Sequence, residues 1–211
     1  MSARTVRAYV GLGANVGDAE RTLGEAIRAL DALPGVRLRG VSRLYATAPV
    51  GVTDQPEFRN AVAALDVPAG PDPATGATAL LAALKGLERD FGRHRRRRWG
   101  PRELDLDLLV YGRARLAIDR PLQARSVEAD TDPAKAARLL EVPHRDAGER
   151  LFVLAPLADL APRLVPPGWH RTVETCRREQ AAIEGPDSVR PIARWDADGR
   201  RWLWSGRSSR R

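Results

Sequence analysis

The sequence predicts an α+β fold, a ferredoxin-like α/β sandwich with an antiparallel or mixed sheet and helices packed on it. Three observations lead there. The elements read along residues 6–111 come in the order β-α-β-β-α-β, that of a split βαβ unit. Two stretches carry apolar residues at helical spacing, and the stretches between them alternate or form short apolar runs. Apolar residues make up 43% of the 211, enough to bury a core of that size.

Val6 to Leu12 reads as the first strand. Asn15, Gly17 and Asp18 turn the chain into a helix with Leu23, Ile27 and Leu30 on one side, closed by Pro34-Gly35. Val36 to Tyr45 reads as a second strand, Ala46 to Pro56 as a loop, and Phe58 to Val67 as a third strand. A helix follows with Leu80, Leu84, Leu87 and Phe91 on one face, stopped by Gly92. Leu104 to Tyr111 is the fourth strand. Beyond Gly112 no clear element appears until Asp132-Pro133, which reads as the cap of an Ala-rich helix reaching Leu140. Leu151 to Leu160 reads as a short helix. Asp198-Gly199, between aromatic runs, signals a hairpin. The helices are expected on one face of the sheet.

The formal charge is +8, which suits an anionic partner. It is uneven: residues 163–211 hold 11 Arg against 6 acidic residues, a net of +5, leaving +3 for the rest. Cys176 is the only cysteine, so an internal disulfide is excluded. The N-terminus lacks a long apolar run, and no stretch reaches the roughly 18 apolar residues of a membrane span. A cytoplasmic protein with no membrane partner is expected.

Some familiar patterns fail on spacing. Gly11, Gly13 and Gly17 place the third glycine one position too late for a dinucleotide fingerprint, and no parallel βαβ unit follows. Asp90-Phe91-Gly92 and His144-Arg145-Asp146 stand in the wrong order for a protein kinase. The three histidines show no metal-ligand spacing.

The informative segment runs from Arg98 to Leu109. On the fourth strand Leu104, Leu106 and Leu108 face one side, and Glu103, Asp105 and Asp107 the other. Carboxylates two residues apart are about 6.6 Å apart along a strand, a spacing that can bracket two Mg²⁺ ions about 3.5–4 Å apart. Oxygen donors without clustered His or Cys favour Mg²⁺ over zinc. Arg93, Arg95, Arg96, Arg97, Arg98 and Arg102 precede this strand directly. Metal-holding carboxylates beside phosphate-clamping arginines describe a Mg-nucleotide site. The bland alternatives are a solvated acidic face and a flexible basic loop.

Four ordered segments resemble the 6-hydroxymethyl-7,8-dihydropterin pyrophosphokinase family: Tyr9 to Asp18, Tyr45 to Ala61, Arg98 to Leu109, and Val142 to Leu157. The resemblance covers about Val6 to Pro162. It implies transfer of pyrophosphate from ATP to 6-hydroxymethyl-7,8-dihydropterin, giving AMP and the pterin diphosphate, in folate biosynthesis. It also implies two Mg²⁺ ions held by Asp105 and Asp107. Phe58 and Phe152 would sandwich the pterin ring, Asn60 would bond its polar edge, and backbone around Thr47, Ala48 and Val50 would complete the pocket. Arg93 and Arg95 would close over ATP on a mobile loop, supported by Trp99 and Arg102. Lys85 and Glu88 would stand on the nucleotide side, and His144 and Arg150 would contact phosphate. Lys85 stands where the family often has Gln.

The organisation implied is a pyrophosphokinase domain over residues 1–166, with an insertion near 113–139, and a basic, Trp-rich C-terminal extension over 167–211. Partners would be ATP, a dihydropterin alcohol and neighbouring folate enzymes; nucleic acid is not expected. Two non-catalytic alternatives stay open: a nucleic-acid-binding module, favoured by the arginines and tail tryptophans, and a scaffold for a folate enzyme.

Overall fold

A computed structural model describes residues 4–48, 54–92, 102–121, 137–185 and 187–204. The predicted elements appear within a few residues of their expected bounds: β1 (Thr5–Ala14), α1 (Ala19–Asp31), β4 (Phe58–Pro68), α2 (Pro73–Asp90) and β5 (Asp105–Tyr111). Both helices start on an aspartate cap. Asp18 accepts from Arg21 N–H at 3.0 Å, and Asp72 from Thr75 N–H at 2.9 Å, with Pro73 in the first turn. Gly92 follows α2 at φ 81°, a left-handed conformation that costs glycine little.

The expected second strand is two strands, β2 (Arg37–Val41) and β3 (Leu44–Thr47), both paired antiparallel with β4. Between them the Ser42 hydroxyl accepts from Val62 N–H at 2.9 Å, so a side chain occupies a ladder position and the strand breaks. The main sheet runs β5-β1-β4-β3 and on through β8 (Val189–Asp196) and β9 (Arg201–Trp204), with β2 also on β4, and the pairings are antiparallel. Within it, β5-β1-β4-β3 are the strands read from the sequence.

The C-terminal region continues this sheet. Strand β8 (Val189–Asp196) pairs with β3, and β9 (Arg201–Trp204) forms the signalled hairpin with it. Its tryptophans meet edge to face, with Trp195 and Trp202 ring centres 5.0 Å apart. Trp202 Nε1–H donates to Glu20 O of α1 at 3.1 Å.

Two expectations are overturned. Residues 138–140 are not the end of a helix. They belong to β7 (Arg138–Val142), paired with β6 (Leu116–Asp119) in a small second sheet. At these three residues cross-strand pairing overrides a weak local preference, and the cap and Ala-rich residues 132–136 of the expected helix lie outside the described residues. The helices also do not lie on one face. Leu23, Ile27 and Leu30 of α1 and Leu80 and Leu84 of α2 pack against Val10, Leu12, Leu65 and Leu106. On the other face, α3 (Leu151–Leu160) and α4 (Val173–Glu184) cover Tyr9, Val62 and Leu109 with Leu154, Leu157 and Val173. The result is three layers.

Candidate active site

The site lies on the α3 side of the sheet, at the end that α3 leaves uncovered. Asp105, Gly13, Asn60 and Tyr45 stand side by side on β5, β1, β4 and β3. Residues directly opposite in a ladder share a face, so this row spans four strands. Gly11 lies in the next row, opposite Asp107 and Val62. Glycine at 11 and 13 removes the side chains that would fill the space between the carboxylates and Asn60. A Cβ at Gly13 would come within 3.2 Å of Asn60 Oδ1, and one at Gly11 within 3.5 Å of Leu109. The glycine pattern that failed as a dinucleotide fingerprint thus floors a trough between strands. Glycine inside a strand was the signal for such a close approach.

The cavity over this floor is lined by Thr47, Ala48, Phe58, Asn60, Arg102, Asp105, Asp107, Arg150 and Phe152, besides Gly13. Nine residues expected from the sequence therefore converge. Asn60 is buried, and its Nδ2 donates to Thr47 Oγ1 at 2.8 Å. That bond fixes which way the amide faces and leaves its oxygen toward Gly13. Arg102 is ion-paired with Asp105. Arg150 lies with its guanidinium carbon 5.8 Å from the Phe152 ring centre, within cation–π range.

A second cavity opens on the other side of Asp107. Its walls are Leu81 and Lys85 of α2, Arg120, residues 138–141 of β7, and His144 to Asp146. Asp107 lines both cavities. Here the structure separates two residues expected together: His144 faces this second cavity, while Arg150 lines the first. Asp146 connects them, accepting from Arg150 Nη2 at 2.6 Å.

Lys85 and Glu88 are committed to each other. Lys85 Nζ donates to Glu88 Oε1 at 2.7 Å and to Leu106 O at 3.0 Å. Glu88, 2% exposed, accepts Leu106 N–H at 2.7 Å, so the pair clips α2 to β5 one residue from each aspartate. Val50, Arg93, Arg95 and Trp99 lie outside the described residues.

Three contributors were missed. Asn15, 3% exposed, accepts Arg102 N–H at 2.7 Å and donates from Nδ2 to Gln55 Oε1 at 3.0 Å and Pro56 O at 3.2 Å. It ties the end of β1 to the segments that enter β4 and β5. A buried asparagine straight after an apolar strand was the available signal. Arg120 and Arg138 add positive charge to the second cavity, and they were hidden because β6 and β7 were not recognised. Helix α3 is anchored at its far end by Asp159, which accepts from Arg43 Nη2 at 2.6 Å and from Tyr45 Oη at 3.0 Å. Burial, and then the Asp159 carboxylate, push the Tyr45 phenol far above its ordinary value, so it remains a donor.

Among the described residues no group of three or more His, Cys, Asp or Glu gathers as a metal cage. A pair of aspartates suits Mg²⁺, which commonly takes one or two carboxylates and completes its shell with water and substrate phosphates. No helix among the described residues is long and apolar enough to cross a membrane.

The chain is similar to known proteins along most of its length. The family described as 7,8-dihydro-6-hydroxymethylpterin-pyrophosphokinase (HPPK) matches residues 9–162. A 2-amino-4-hydroxy-6-hydroxymethyldihydropteridine pyrophosphokinase from Pseudomonas aeruginosa is 42% identical over 165 residues, covering 78% of this chain and 86% of its own. A mitochondrial folate synthesis bifunctional protein of Pisum sativum is 38% identical over 72% of this chain, which is 24% of that longer protein. Related sequences thus occur fused within larger folate-synthesis proteins. The crystal structure of wild-type Plasmodium falciparum HPPK-DHPS superposes with a TM-score of 0.69 at 13% identity, over 96% of this chain and 50% of that one, a likeness of fold. The chain belongs to the 7,8-dihydro-6-hydroxymethylpterin-pyrophosphokinase family, enzymes that transfer pyrophosphate from ATP to hydroxymethyldihydropterin in folate biosynthesis.

Proposed function

We propose that the two cavities meeting at Asp107 hold the pterin and the nucleotide, and that transfer takes place across the Asp105–Asp107 strand. The observation that carries this reading is Asp107 itself, which lines both cavities. The first suits a flat heterocycle, with two aromatic rings in its walls and a buried amide at its floor. Phe58 and Phe152 bind the ring faces. Asn60, oriented by Thr47, bonds the ring's edge with Thr47, Ala48 and Val50. The second suits a polyphosphate, with Arg120, Arg138, His144 and Arg145 around it. Lys85 and Glu88 support that wall by holding α2 against β5.

Asp105 and Asp107 would hold two Mg²⁺ ions, which when bound neutralise phosphate charge and orient ATP. The pterin hydroxymethyl oxygen attacks the β-phosphorus in line. The new O–P bond forms as the bond to the α-phosphate oxygen breaks, AMP leaves, and the hydroxyl proton passes to solvent. Positioning and charge neutralisation suffice for such a transfer, with no covalent enzyme intermediate. Arg102 orients Asp105, and Arg150 borders both the ring and Asp146. Arg93 and Arg95 close over the phosphates, with Trp99 at the rim. The setting is cytoplasmic, and neighbouring folate enzymes are natural partners, in keeping with the fused relative.

The test is to follow nucleotide products with and without the pterin alcohol while Mg²⁺ is titrated and then chelated. AMP release that needs both the alcohol and the metal is expected. Full turnover in excess chelator, or ADP as the product, would overturn the mechanism.

A further inference from the structure

The helix that carries Phe152 begins without a cap of its own. Its N-cap position is Arg150, whose side chain makes no capping hydrogen bond. A guanidinium has no acceptor to offer an amide, and the first amides of a helix need acceptors from outside it. Leu151 N–H finds one 3.0 Å away in Oε1 of Glu184, which is 33 residues further along the chain. Gln180 Nε2 steadies the same oxygen at 2.8 Å. Glu184 is the last residue of α4. A carboxylate there opposes the dipole of its own helix, whereas at the N-terminus of α3 it is favoured. The placement works against α4 and for α3.

Leu151 stands between Arg150 and Phe152, both of which wall the first cavity. We propose that Glu184 is a positioning residue for the pterin site: it caps α3 from the C-terminal region and fixes the direction in which Phe152 enters the cavity. The inference rests on Phe152 being a wall of the pterin pocket. It lies beyond the family match, which ends at residue 162. The same region reaches the opposite wall too. Val189 of β8 pairs with Thr47, and Arg190 Nη2 lies 2.8 Å from Glu57 Oε1, beside Phe58. Both aromatic walls are therefore braced by a segment outside the matched core.

The test compares kcat and both KM values for full-length Glu184→Ala, Glu184→Gln and Phe152→Ala. Glutamine keeps an acceptor oxygen, and alanine removes it. Loss of one charge-assisted cap should raise the pterin KM about 3–10-fold in Glu184→Ala. The ATP KM should stay within about twofold, since the nucleotide cavity does not touch the cap. Glu184→Gln, which keeps the acceptor and loses the charge, should raise the pterin KM less than Glu184→Ala does, and Phe152→Ala should raise it further. A purely structural role for Glu184 would reduce the active fraction, hence kcat, and leave the pterin KM unchanged. That outcome, alongside a raised KM in Phe152→Ala, would overturn the proposal alone. A wild-type pterin KM in Phe152→Ala would overturn the pocket assignment and the proposal with it. Equal defects in Glu184→Ala and Glu184→Gln would show that the acceptor is not what matters.

Discussion

The cavity over Asn60 and the cavity beside His144 share Asp107 and differ in almost everything else. The first is floored by β1, β4 and β5 and walled by β3 and the start of α3, with a buried amide locked to a hydroxyl. The second is assembled from one face of α2, a two-stranded sheet and a turn. Its walls mix leucines and carboxylates with long cationic side chains, some of them already engaged. Arg138 lies 2.8 Å from Asp119, and Arg120 donates to Arg138 O at 3.0 Å. A flat ring is recognised by in-plane hydrogen bonds that tolerate little displacement, so its pocket needs a rigid floor. A polyphosphate is recognised by charge, and exposed ion pairs are worth only about 0–1 kcal/mol. Such pairs can exchange a carboxylate for a phosphate at little cost. Rigid geometry on one side and exchangeable charge on the other is the contrast to test.

The largest effect should come from the residue common to both. Asp107→Asn keeps the shape of each cavity and removes the charge between them. Loss of a preorganised electrostatic group costs about 10²–10³ in turnover by analogy with oxyanion donors. Single-turnover kinetics at saturating Mg²⁺ should show that loss, with thermal stability close to wild type. A variant retaining more than about a tenth of wild-type turnover would mean that Asp107 borders the cavities without serving them.

Asn60→Ala should sharpen the contrast from the pterin side. It removes the amide and leaves the buried Thr47 hydroxyl without that donor. A buried hydrogen bond lost with its partner left behind should weaken pterin binding about tenfold or more, with ATP binding unchanged. Calorimetry with each ligand separately distinguishes the two. Equal losses for both ligands would mean that the floor is shared and the division between cavities is wrong.

This division also accounts for what could be read from the sequence. The rigid floor was legible because it is built on strongly periodic elements. Asp105 and Asp107 alternate with buried leucines, Asn60 interrupts an apolar run, and α1 and α2 carry full apolar stripes. The charged wall was largely illegible. Strands β6 and β7 are four and five residues long and pair across an intervening stretch, so neither has a local signal. Arg120 and Arg138 therefore read as ordinary surface residues. Helix α4 buries only Val173 and Cys176, too little for a stripe. Helix α4 escaped notice for that reason, and Glu184 with it. Non-local pairing, rather than propensity, decided each of these.

The smallest effect on ligands should come from Lys85, although it lines the second cavity. Its ammonium is held at 2.7 Å by Glu88 and at 3.0 Å by Leu106 O. To reach a phosphate it would have to give up a buried carboxylate, whereas Arg138 is paired with the exposed Asp119. Lys85→Met keeps the stem that packs along α2 and loses the charge. ATP affinity should change by less than about threefold, the scale of a weak surface pair. Stability should fall by about 1–3 kcal/mol, because the buried Glu88 loses an ion-pair partner. Adding Glu88→Gln should recover most of that loss, since the neutral amide oxygen still accepts Leu106 N–H and no buried charge remains to be balanced. Chemical denaturation of the single and double variants, alongside ATP titrations, measures both quantities. If Lys85→Met raised the ATP KM about tenfold and left stability untouched, Lys85 would be a phosphate ligand. The nucleotide wall would then depend on a fixed cation as the pterin floor depends on Asn60, and the contrast between exchangeable and rigid would fail at that residue.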